Sequence, residues 1–82
     1  MKPTTVPILT AYRAGSTDGR AGWRFTFTPS PEHVEAVKAG IPSRHREYDP
    51  EKHEWWVSDF AEPEALAVMP GLETFMRQGS LF

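Results

Sequence analysis

The firmest pattern in the chain is the strict alternation of Trp23-Arg24-Phe25-Thr26-Phe27-Thr28, which puts three rings on one face of a strand and polar groups on the other. Residues 6–13 also read as extended, and Pro7 places them at a sheet edge or at a strand start. Between these segments, residues 15–22 are rich in turn formers. Asp18-Gly19 is a strong turn pair, so the two strands form a hairpin with 15–22 as its loop.

Thr28-Pro29-Ser30-Pro31-Glu32 ends the second strand and starts a helix, with Ser30 as N-cap, Pro31 at the first helical position and Glu32 matched to the helix dipole. The helix is expected over 31–39, with Gly40 just past its end and Pro42 beyond. Val34, Val37 and Ile41 make its buried stripe, while Glu35 and Lys38 face water.

Residues 43–58 read as a second hairpin turning over 49–53, where the Asp49 carboxylate accepts turn amides and Pro50 fixes φ. In its returning strand Trp55 and Val57 share one face, and Trp56 must point to the other. Either the sheet is covered on both sides, or one tryptophan stands exposed. The tail carries two short helical pieces, 63–69 and 72–77, interrupted by Pro70-Gly71, and residues 79–82 fray or pack through the last ring. The expected fold is α+β: two antiparallel hairpins with a helix between them and a short broken helical tail, in the order β-β-α-β-β-α.

With 82 residues, the chain has room for one core and one domain spanning 1–82. That core draws on large rings: Trp23, Phe25, Phe27, Tyr48 and Trp55, with Val57. The absence of cysteine excludes disulfides, thiolate metal sites and cysteine nucleophiles, and suits a reducing, cytoplasmic setting. No run approaches the length of a membrane span, and the first residues lack a signal-peptide apolar stretch, so no membrane partner is expected.

The net charge of −2 argues against strong nonspecific attraction to a polyanion, but the charges are segregated. Basic groups cluster from Lys38 to His53, and acids predominate from Asp59 to Glu73. His33, His45 and His53 fit no compact zinc spacing, so no metal or other cofactor is expected. The many carboxylates form no local constellation of a glycosidase or two-metal nuclease, and residues 15–22 are no phosphate-binding glycine loop. No catalytic residue is assigned, and the chain reads as a non-enzyme.

The segment from Val34 through Ile41-Pro42 and Arg44 to Arg46, Tyr48-Asp49-Pro50 and Trp55 resembles the helix and hairpin of the HepA-related (HARP) domain. In that family the helix leads through an Ile-Pro or Leu-Pro pair into an arginine-bearing strand, an aromatic-Asp-Pro turn and a strand beginning with tryptophan. The resemblance covers about 34–57 and implies an accessory module that recognises single-stranded or forked DNA. The chain departs from the helicase setting, since it has no Walker motif and no room for an ATPase.

Two candidate surfaces result. Arg44, Arg46 and Lys52 beside an exposed Trp56 would combine phosphate-binding cations with a stacking platform for DNA; as plain structure they are solvated strand charges and cover for the second side of the sheet. Alternatively, Met69, Leu72, Phe75 and Met76 of the tail would bind a protein partner, or a second copy of the chain, as an interaction or inhibitory adaptor surface.

Overall fold

The computed structural model describes residues 5–79. Its elements run β1 (Ile8–Gly15), β2 (Ala21–Phe27), α1 (Pro31–Gly40), a 3-10 turn (Ser43–His45), β3 (Arg46–Asp49), β4 (Glu54–Ser58), a second 3-10 turn (Asp59–Ala61), α2 (Glu62–Val68) and α3 (Leu72–Gly79). The two hairpins and the helix between them stand as expected. They join side by side into one antiparallel sheet of order β1-β2-β4-β3.

Pairing produces rows of side chains that cross all four strands. Ala11, Phe25, Trp55 and Tyr48 form one row, and Arg13, Trp23, Val57 and Arg46 the next. These rows lie on the face covered by the helices, where Trp23, Phe25, Phe27, Trp55 and Val57 pack with Val37, Ile41, Ala65, Met69 and Leu72. The alternating residues Tyr12, Arg24, Trp56 and Glu47 form a row on the opposite face, which contributes nothing to that core cluster.

α1 begins where its cap chemistry requires, with the Ser30 hydroxyl accepting from the His33 amide at 3.1 Å. Its end differs from expectation. Gly40 belongs to the helix and Ile41, in extended conformation, is the C-cap. The glycine serves close packing instead, because a Cβ at position 40 would run into the Val68 side chain of α2. Val6, ahead of β1, is buried, and its amide donates to the Val68 carbonyl at 2.9 Å, which ties the start of the described chain to the end of α2.

Residues 43–45 are a 3-10 turn, where a strand was expected, because the His45 amide donates back to the Pro42 carbonyl at 2.9 Å. Arg44 therefore sits in that turn, outside the hairpin's ladder. The tail breaks at Pro70-Gly71 as read from the sequence, and Met69 and Leu72 on either side of the break are fully buried. Apart from the place of Gly79 at the end of α3, the expectation for 79–82 lies outside the described residues.

Candidate nucleic-acid interface

Trp56 corrects the sequence reading. It points to the face without helices, as alternation requires, yet it is only 1 % exposed. The indole lies across Gly22, whose missing Cβ leaves the space it needs: a methyl group there would come within 2.6 Å of Cε2 and Nε1. Nε1 donates to the Ala14 carbonyl at 3.0 Å, and the Arg20 guanidinium lies over the ring at 5.0 Å. Trp56 is a structural plug under a cation and offers no ring face to a base. The signal that could have indicated this was a glycine at the start of a strand pattern, which marks a close approach by another group.

Around this plug the polar side chains form a connected network. Arg20 also donates to the Arg44 carbonyl at 2.5 Å and pairs with Asp18 and Glu47, while Thr17 donates to Glu47 through its amide and hydroxyl. Arg24 lies 3.4 Å from Asp49 and 3.5 Å from Glu54, and the Tyr12 hydroxyl donates to Glu54 at 2.8 Å. Burial pushes the Tyr12 phenol upward, and the hydrogen bond to Glu54 reinforces the effect. Burial also acts to raise Asp49, but the amides of Lys52 and Glu51 and the charge of Arg24 outweigh it and hold the carboxyl below its usual range. Asp18 is lowered chiefly by the hydroxyl of Ser16, then by Arg20.

The basic residues divide into two sets. Arg13, Arg20, Arg24 and Arg77 are all ion-paired. Lys38, Arg44, Arg46 and Lys52 form no ion pair among the described residues. Lys38 extends from the last turn of α1, Arg44 precedes β3, Arg46 opens it, and Lys52 is in the turn that follows.

Lys38 and Arg46 meet at a groove of about 530 Å³ between α1 and the second hairpin, with His53 and Tyr48 on its rim and Phe27 and Trp55 among its lining. No carboxylate lines it. Tyr48 departs from its expected place in the core: on an edge strand, it is 46 % exposed. Its ring is 4.9 Å from that of Trp55, and its hydroxyl lies 3.4 Å from His53 Nδ1. The groove is not legible in the sequence because Lys38 is on α1, Tyr48 reads as core, and His53 fits no ligand spacing.

Of the four tail residues proposed to meet a protein, Met69 and Leu72 belong to the core, which corrects that surface, while Phe75 and Met76 are half-buried. The most exposed large hydrophobic side chain among the described residues is Phe60, 84 % exposed, in the turn before α2. Among the described residues no group of His, Asp and Glu is placed to hold a metal, and no helix is long and apolar enough to cross a membrane.

Fold and site together define a small α+β module: a four-stranded antiparallel sheet with helices on one face and a cationic, ring-lined groove at one edge. In comparisons with known proteins, no family model, no curated protein and no solved structure matches the chain. The HARP resemblance therefore rests on the residues quoted for it.

Proposed function

We propose that the chain is a non-enzymatic, cytoplasmic accessory module that binds nucleic acid, in single-stranded or forked form, through its second hairpin and the adjoining groove. The observation that carries this reading is the segregation of cations. Arginines elsewhere in the described chain are neutralised by carboxylates, whereas Lys38, Arg44, Arg46 and Lys52 keep their charge for an outside anion. Tyr48 takes the stacking role first given to Trp56. A local site of this kind is compatible with net acidity, since charges beyond a Debye length are screened.

Fluorescence anisotropy with single-stranded, duplex and forked DNA tests the proposal. Four phosphate contacts predict a single-strand salt slope of about −3, so affinity should drop about 50-fold between roughly 50 and 200 mM salt. Arg44→Ala with Lys52→Ala should weaken binding without lowering the melting temperature, and Arg46→Ala should weaken it further while also losing the hydrogen bond to the Ile41 carbonyl. Salt-independent binding, or no binding at the lower salt, would refute it.

Phe60 favours a second reading, an interaction or inhibitory adaptor module, because a large ring this exposed is available to a partner. Under that reading Phe60→Ser abolishes capture of a protein partner and leaves DNA binding unchanged.

A further inference from the structure

We infer that the groove between α1 and the second hairpin is a single-nucleotide subsite that takes one unstacked base against Tyr48 and one phosphate between Lys38 and Arg46. The inference rests on the nucleic-acid reading above and narrows its ligand to a flat ring carrying a phosphate. Either an unpaired residue of a strand or a free nucleotide can supply that chemistry.

Size is the first argument. A volume of about 530 Å³ lies within the range of small-ligand sites, and a groove with a ring on its rim can stack only on a base whose face is free. Base pairs inside a duplex present edges, so the rim selects against them.

The second argument is how the polar groups are held. Arg46 Nε donates to the Ile41 carbonyl at 3.0 Å, which fixes the guanidinium plane and leaves its terminal nitrogens without a partner among the described residues. Lys38 adds a second unpaired charge from the helix side. Tyr48 is steadied from below by Trp55 and at its hydroxyl by His53. A planar donor fork, a point charge and a braced ring are the parts needed to orient a nucleotide.

The third argument is the backbone at His53. This residue has φ 54°, the only positive value on a non-glycine residue in the described chain. Glycine takes that conformation freely, whereas a residue with a Cβ is strained in it. The strain brings an imidazole to the groove, where it meets the Tyr48 hydroxyl.

The test compares a ten-thymidine strand, an abasic strand of equal phosphate number, a duplex, thymidine monophosphate and inorganic phosphate. Binding is followed by anisotropy for the strands and by amide chemical shifts for the small ligands, on the full chain and on Tyr48→Leu, Lys38→Gln and His53→Gly. The subsite predicts that the thymidine strand binds at least about fivefold more tightly than the abasic strand, and that Tyr48→Leu erases the preference. Thymidine monophosphate should shift the amides of Lys38, Arg46 and His53 more than phosphate does. If the mononucleotide binds and the strand does not, the subsite stands with a free nucleotide as its source, and the nucleic-acid reading fails.

His53→Gly should melt no lower than the parent while binding the thymidine strand more weakly, which separates a ligand role from a folding one. Equal binding of thymidine and abasic strands, or a preference that survives Tyr48→Leu, overturns the subsite and leaves the nucleic-acid reading in place. Absence of binding by every probe overturns both.

Discussion

Replacing Gly22 by alanine puts a methyl group where the Trp56 indole and the Val57 carbonyl oxygen already are, with Cε2 and Nε1 of the ring at 2.6 Å. Carbon atoms pack at about 3.5 to 4.0 Å, so the ring must move by about 1 Å, and the carbonyl belongs to the neighbouring strand's backbone and has little freedom to yield. Overpacking of this kind costs about 1 to 3 kcal/mol. A displaced indole also loses the hydrogen bond from Nε1 to Ala14, about 1 kcal/mol net, and its seat beneath Arg20. Against this stands the reduced freedom of the unfolded chain, worth about 0.4 to 1 kcal/mol. The expected result is a net destabilisation of about 2 to 3 kcal/mol, or a fall in melting temperature of about 10 to 20 °C for a domain of this size. Urea unfolding followed by tryptophan fluorescence measures it directly, with the same substitution repeated in a Trp56→Leu background. Coupling between the two positions should reach about 1 kcal/mol, since they share one contact. A Gly22→Ala protein within about 0.5 kcal/mol of the parent, the size of a neutral surface change, would refute the account of why Trp56 is buried.

Trp55→Ala removes a ring that packs against Phe27 and Tyr48 and should cost about 3 to 5 kcal/mol in urea unfolding; a loss below about 1 kcal/mol would contradict its place in the core. Ser30→Ala deletes the acceptor for the His33 amide and should cost about 1 kcal/mol, with Ser30→Asp restoring stability in the same melt. The Asp49 carboxyl is held below its usual range in the folded chain, so its contribution is present above the unfolded value of about 3.9 and is lost as the pH falls through the folded one. Asp49→Asn should therefore flatten the fall in melting temperature below about pH 4, and a curve identical to the parent's would count against the turn and Arg24 contacts.

Local rules made most of the architecture legible. Alternation from Trp23 to Phe27 names a strand and the face it buries, because successive side chains point to opposite sides. Ser30-Pro31 names a helix start, since the hydroxyl caps an amide and proline lacks the one that would go unpaired. Asp49-Pro50 likewise names a turn whose carboxylate takes the amides of Glu51 and Lys52. Each signal acts within a few residues, so the chain alone carries it.

The candidate site depended on distances along the chain that no local rule spans. Trp56 was legible as pointing away from Trp55, but its fate was set by a glycine 34 positions earlier and by the carbonyl of Ala14, both brought beneath it by the sheet order. Tyr48 reads as core by its position in the pattern, and it became exposed because β3 is an edge strand with no neighbour on its far side. Which cations stay unpaired was decided in the same way. Arg24 faces Asp49 and Glu54 because β2 lies beside β4, and Lys38 and Arg46 line one groove because the fold sets α1 beside the second hairpin. The amino-acid sequence by itself determined the elements and their buried faces through short-range sterics, capping and side-chain alternation. Tertiary structure alone decided which aromatic rings and which charges reach solvent, because burial and ion pairing depend on neighbours that only the folded sheet supplies.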